Sequence, residues 1–144
     1  MNVIERVREI VQSFPDIAAV CNEVHVDFTD DTADSYGLSP TGDLRLKRYV
    51  SGGEKRQHTF ILYAVWQSLS DYDRMANSGV LLELQQYLEH YTGDVSISTE
   101  NGTGELTKLT CSNGMLFEIP DENFNAAVRY QLQIAANYNL YEER

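Results

Sequence analysis

Cysteine is scarce in this chain: Cys21 and Cys111 are the only two among 144 residues. They are far apart in sequence and form no C-x-x-C pair, so neither a disulfide framework nor a thioredoxin-like site is available. Both are expected to behave as small buried hydrophobes. Histidine is equally thin, with His25, His58 and His90 scattered along the chain. There is no H-E-x-x-H and no Cys/His spacing of a zinc site, because metal ligands come in spaced clusters. His25 and His58 are expected on the polar phase of strands, and His90 late in a helix, where the dipole favours its proton. Basic residues are few: eleven Lys and Arg stand against twenty-two Asp and Glu, a net charge of -11. A nucleic-acid-coating role needs the opposite balance. No apolar run approaches the ~18 residues of a membrane helix. The first residues carry no apolar signal core, which predicts a protein that stays in the compartment where it is made.

Motifs that bear a mechanism are also missing. Gly52-Gly53-Glu54-Lys55-Arg56 lacks the spacing of a phosphate-binding loop, and Gly102 and Gly104 lack the third glycine of a dinucleotide fingerprint. No G-x-S-x-G occurs. The acids Asp27, Asp30, Asp31 and Asp34 have neither the alternation, the central glycine nor the closing glutamate of a calcium loop, so they read as a solvated turn. Asn101-Gly102-Thr103 matches a glycosylation acceptor but has no secretion signal to give it meaning. The expectation is a non-enzyme with no catalytic residues, no cofactor and no metal.

What is present is strong periodicity. Val3, Ile4, Val7, Ile10, Val11 and Phe14 recur at helical spacing, with Asn2 as N-cap and Pro15 as the stop. Glu23–Phe28 alternates as a half-buried strand carrying Val24, Val26 and Phe28 on one side, and Thr29–Thr32 is a polar turn. Ser35–Ser39 reads as a short strand cut off by Pro40, and Pro40-Thr41-Gly42-Asp43 as a turn. Leu44–Val50 is an extended arm or strand, and Ser51–Glu54 a flexible break. Gln57–Trp66 is the strongest strand, with apolar residues on both faces. This predicts a central position, covered by helices on one side and by something else, such as another subunit, on the other.

A second helix should run from Ser70-Asp71 to about Tyr91 with the stripe Ala76, Val80, Leu81, Leu84, Leu88 and Tyr91. Gly79 weakens it and could separate its first turns, and Gly93 should end it. Thr99–Gly104 reads as a loop. Leu106–Cys111 and Met115–Ile119 flank Ser112-Asn113-Gly114, an Asn-Gly hairpin signal. Last comes a long strand with Val128, Tyr130, Leu132, Ile134, Ala136 and Tyr138 facing inward, and Arg129, Gln131, Gln133 and Asn137 facing outward. The whole, residues 1–144, is predicted as one α+β domain: a mostly antiparallel β-sheet with two α-helices packed on one face.

Arg45, Lys47, Arg48, Lys55 and Arg56 place five of the eleven bases within twelve residues, around Tyr49. This basic segment, bounded by Pro40-Thr41-Gly42 and Gly52-Gly53, is the candidate assembly interface: Arg45, Lys47, Arg48, Tyr49, Lys55 and Arg56. It is expected to be poorly ordered in the free subunit, suited to reaching an acidic neighbour.

From Val24 to Tyr138 the chain resembles the small prophage proteins of Gram-positive bacteria known as minor capsid or tail terminator proteins. The stretches that carry the resemblance are Tyr36-Gly37-Leu38-Ser39-Pro40-Thr41-Gly42, Lys47-Arg48-Tyr49-Val50-Ser51-Gly52-Gly53 with Arg56 and Phe60, Asn77-Ser78-Gly79, and Val128-Arg129-Tyr130-Gln131-Leu132-Gln133. The resemblance implies a structural protein of the virion or tail particle, assembled in the bacterial cytoplasm. It implies a hexameric ring of the chain with itself at the head-proximal end of the tail tube. The partners would be the tube and sheath proteins and, where a head exists, the head–neck connector, with no membrane and no nucleic acid bound directly. It covers headless phage-tail-like bacteriocins equally. A head-closure or neck adaptor, or a small host-directed binding module or enzyme of the same mobile element, are the alternative readings.

Overall fold

A computed structural model describes residues 1–20, 24–26, 35–67, 71–118 and 127–142. Helix α1, Val3–Gln12, opens with a reciprocal cap. The Glu5 backbone N–H donates to Asn2 Oδ1 at 2.9 Å, and the Asn2 N–H donates to Glu5 Oε1 at 3.2 Å. Two of the four orphan donors of the first turn are thereby satisfied. Pro15 does not stop the helical run; it is the first residue of a second short helix, α2, Pro15–Val20. A proline suits that position because the N–H it lacks would have no partner there. Val3, Val7, Ile10, Val11, Phe14 and Ile17 are buried. Arg6, on the expected polar face, is buried too: its Nε donates to the Ser96 carbonyl at 2.9 Å, and a guanidinium nitrogen lies 3.5 Å from Asp94.

Among the described residues, six strands form one sheet in the order β1-β2-β3-β6-β5-β4. They are β1 His25–Val26, β2 Ser35–Arg48, β3 Gly53–Gln67, β4 Ser96–Thr99, β5 Gly102–Glu118 and β6 Ala127–Glu142, and helix α3, Asp71–Glu89, joins β3 to β4. Of the pairings among the described residues, the short β1–β2 one is parallel and the other four are antiparallel. The two strands with the clearest alternation, β3 and β6, are central neighbours, with Leu62 opposite Leu132. Their inward residues Phe60, Leu62, Ala64, Trp66, Val128, Tyr130, Leu132, Ile134, Ala136 and Tyr138 share one core with α1 and α3. This is the α+β architecture expected from the periodicity, with helices over one face of a mostly antiparallel sheet. On the other face of β3, Val65 is buried, and Ile61 and Tyr63 are half-buried.

Several local expectations fail, each for a physical reason. Pro40 does not end a strand. β2 continues through it, and Thr41 is the extra residue of a β-bulge, Pro40 pairing with Phe60 and Gly42 with Thr59. A bulge near a sheet edge tolerates a residue without an N–H donor. Ser112-Asn113-Gly114 is not a hairpin turn either. It is a bulge inside the single strand β5, where Ser112 pairs with Gln133 and Met115 with Gln131. Asn113 takes the left-handed φ of 55° that such a bulge requires. The nearby hairpin is instead β4–β5, turning at Glu100 and Asn101 in the stretch expected to be a loop.

Gly79 does not divide α3, which is continuous, and Ala76 is exposed rather than part of the buried stripe. Leu81, Leu84 and Leu88 carry that stripe, flanked by half-buried Val80, Tyr87 and Tyr91. Val24 is buried, yet Val26 is exposed at the sheet's edge strand. The expectations for Thr29–Thr32, for Phe28 and for the acids Asp27, Asp30, Asp31 and Asp34 lie outside the described residues, as does Cys21.

Candidate assembly surface

The basic segment is the distal part of the β2–β3 hairpin. Arg45 pairs with Arg56, Lys47 with Lys55 and Arg48 with Glu54, so both strands are in register up to the turn. The expected flexible break is a tight turn. The Gly52 N–H donates to the Tyr49 carbonyl at 3.0 Å, and the Tyr49 N–H donates to the Gly53 carbonyl at 2.7 Å. Gly52 holds φ 97°, which disfavours a side chain. The segment is therefore not a loose arm: β3 is also hydrogen-bonded to β6 along its whole length, from Gly53–Tyr141 to Gln67–Ala127. Two glycines loosen a chain only where nothing pairs with its neighbours.

β2 carries one of two open edges among the described residues; β5 beyond Glu105, where its pairing with β4 ends, carries the other. β1 covers β2 only at Gly37 and Leu38. From Ser39 to Arg48 its outer edge has no strand beside it among the described residues. Pro40, the bulges at Thr41 and Leu46, and three basic side chains occupy that stretch. Each of these devices blocks strand-on-strand addition. A partner meeting this edge thus meets side chains rather than an open ladder.

The side chains divide by face. On the helix-bearing side, Arg56 is fully engaged: Nε donates to Asp43 Oδ1 at 2.6 Å, and Nη1 donates to Glu54 Oε2 at 2.7 Å. Arg45 lies 3.8 Å from Glu54. The Tyr138 hydroxyl donates to Asp43 Oδ2 at 2.6 Å. The bond to Glu54 raises the Arg56 pKa above its ordinary value, and burial, helped by the bond to Asp43, raises that of the Tyr138 phenol. The network satisfies its own charges. It borders an open cavity of about 590 Å³ with Thr99, Asn101 and Leu140. Lys47, Arg48 and Lys55 have no ion pair among the described residues; Lys47 Nζ sits 5.2 Å from the Tyr49 ring centre, a cation–π contact.

All six residues expected from the sequence lie on this hairpin: Arg45, Lys47, Arg48 and Tyr49 are exposed, and Lys55 is half-buried. Arg56 is drawn into the internal network. Four further features were missed. Leu44, Leu46 and Val50 are apolar and exposed, Val50 completely so, and Tyr141 at the end of β6 is exposed beside the turn. Their signal is visible in Leu44-Arg45-Leu46-Lys47, where leucine alternates with a base in a strand with no buried side.

The side chain of His25 lies outside what the structure describes. His58, expected on a polar phase, is buried and stacked on Phe60 with ring centres 4.4 Å apart, because the core face of β3 extends one residue pair further than the apolar run suggests. His90 is exposed, with Nδ1 2.8 Å from the Gln86 carbonyl. No group of three or more His, Cys, Asp or Glu side chains is placed to hold a metal among the described residues. No described helix is long and apolar enough to cross a membrane. Among known proteins, no family model matches this chain, and no curated protein matches it either.

Proposed function

We propose that this chain is a structural protein of a phage or phage-tail-like particle, forming a ring that caps the head-proximal end of the tail tube and ends tail assembly. One observation carries the reading. The β2–β3 hairpin places two like-charge pairs, Arg45–Arg56 and Lys47–Lys55, directly opposite each other on adjacent strands. Like charges directly opposite destabilise a strand pair. Asp43 and Glu54 offset the first pair, so Lys47 and Lys55, with Arg48 near them, are the bases left without an ion pair among the described residues. Concentrated positive charge beside exposed Leu44, Leu46 and Val50, on an otherwise acidic protein, suits contact with other subunits. The two most specific stretches of the family resemblance support the same reading, since Lys47–Gly53 forms this hairpin's end and Val128–Gln133 lies on β6 beside β3.

In this role the chain performs no chemistry and holds no cofactor. Its partners are itself in a ring of six, the tail tube and sheath, and a head–neck connector where a head exists. The test is electron microscopy of particles assembled without the chain, and with an Arg45→Ser, Lys47→Ser, Arg48→Ser variant. Tails of uncontrolled length that fail to join heads are expected in both cases. Tails of normal length that join heads normally would refute the role. Normal-length tails without heads would favour a neck adaptor instead.

A further inference from the structure

A basic, apolar edge needs a counterpart, and the chain carries one on α3. Met75 and Leu82, one heptad apart, are 73% and 55% exposed on the helix side away from the core residues Leu81, Leu84 and Leu88. Gly79 lies between them. A Cβ added there would meet nothing within 4 Å, so no contact among the described residues requires glycine at a position where it weakens a helix. The result is a notch in the helix surface with an apolar side chain above and below it. The helix is also acidic in sequence, with Asp71, Asp73, Glu83 and Glu89 against Arg74.

The two surfaces sit at opposite corners of the molecule. α3 runs along β5 from Gly114, which faces Leu81, towards Cys111, whose carbonyl accepts from Gln85 Nε2 at 3.2 Å. Its first turns therefore lie towards the Gly114 end of β5. The turn of the β2–β3 hairpin is level with the other end, since Gly53 pairs with Tyr141 and Tyr141 with Thr103. The hairpin is also at the far side of the sheet, with β3 and β6 between β2 and β5. The two surfaces differ in charge: Lys47 and Arg48 are exposed on the hairpin, and Glu83 and Glu89 are exposed on α3. Residues 45–56 hold five of the eleven bases and one of the twenty-two acids, which leaves six bases against twenty-one acids elsewhere.

We propose that copies of this chain associate head to tail. The β2 edge at Leu44, Leu46 and Val50 of one copy seats on the Met75–Gly79–Leu82 face of α3 of the next, with Lys47 and Arg48 near Glu83 and Glu89. The choice of a second copy as occupant rests on the ring reading together with this charge division. Two different patches at opposite corners make a heterologous contact, which closes into a ring when the rotation permits and cannot stop at a symmetric pair. The bulges and proline of β2 fit a contact made by side chains rather than by strand addition.

The test uses the full chain on a Cys21→Ser, Cys111→Ala background. Copies carrying Val50→Cys are mixed with copies carrying Leu82→Cys or, as a control, Glu100→Cys, and treated with a bismaleimide. The Val50–Leu82 cross-link should exceed the Val50–Glu100 one by about tenfold and fade as salt rises. In a second arm, Gly79→Ala on the natural sequence should raise the melting temperature of the free subunit yet weaken self-association, read by light scattering, by about tenfold. Equal cross-linking to both positions, or unchanged association of Gly79→Ala, overturns the interface. The ring reading fails separately. Overlong tails without the chain, combined with a failed cross-link, would retain the capping role and remove this interface. Normal tails with the cross-link present would do the reverse.

Discussion

Leu62→Ala probes whether β3 lies at the centre of the core. Leu62 is 1% exposed, and its cross-strand partners on either side, Leu38 and Leu132, are both fully buried. Removing three carbons forfeits ~0.8 kcal/mol each in transfer free energy, about 2.4 kcal/mol. The space left cannot close easily, because both neighbours belong to strands fixed by ladder hydrogen bonds. A residual cavity adds roughly 1–2 kcal/mol, for a total of about 4 kcal/mol. A chain of this length has an unfolding entropy of ~0.3 kcal/mol/K, so the melting temperature should fall by about 13 °C. Thermal unfolding followed by circular dichroism measures it directly. A fall of less than about 3 °C, corresponding to under ~1 kcal/mol, would show that β3 is peripheral and that the packing described above is wrong.

Gly104→Ala should destabilise by about 3 kcal/mol or more, since the added Cβ would lie 1.8 Å from the Asn139 carbonyl oxygen and must push β5 away from β6; melting temperature is again the readout. Alkaline stability should be set partly by Cys111, whose thiol burial pushes up from 9.0 to about 12. Because the folded state holds the proton more tightly, its contribution is intact below pH 9 and is lost as pH rises towards 12. Tyr138, also raised, adds to the loss above pH 10, so Cys111→Ala and Tyr138→Phe should each flatten the fall in urea stability measured across that window. Arg45→Ser, Lys47→Ser, Arg48→Ser should change the stability of the free chain by no more than ~0.5 kcal/mol. A drop of several degrees in its melting temperature would mean that these bases hold the hairpin together.

The strongly periodic parts of the fold were legible because one face of each is buried along its whole length. Val3 to Phe14 and Val128 to Tyr138 show this. The bulges and turns were not, and the two Asn-Gly dipeptides show why. Asn101-Gly102 and Asn113-Gly114 offer the backbone the same tolerance of positive φ. The first belongs to a hairpin turn, whereas the second is a bulge in a continuous strand. The difference lies elsewhere in the chain: β6 is sixteen residues long and pairs with β5 on both sides of Asn113-Gly114. Gly114 then lets α3 approach, since a Cβ there would come within 3.1 Å of Leu81. A local signal reports what the backbone can do, and the neighbouring strand decides which of the permitted geometries is used.

The same division applies to the candidate assembly surface. A cluster of bases is a property of composition and is readable directly, but its order is a property of pairing. Arg56 is removed from the surface by Asp43, thirteen positions earlier, and Asp43 is held in turn by Tyr138, ninety-five positions later. Neither partner can be named without the registers of β2, β3 and β6. Once those registers are known, the segment changes character. Disorder would have made its binding costly, because ordering a chain opposes association. A hairpin already fixed by β6 on one side carries no such cost. On the proposed reading, a pre-formed edge on which Lys47 and Lys55 stand opposed would gain from an acidic neighbour, and the free subunit and the assembled one would share the same backbone.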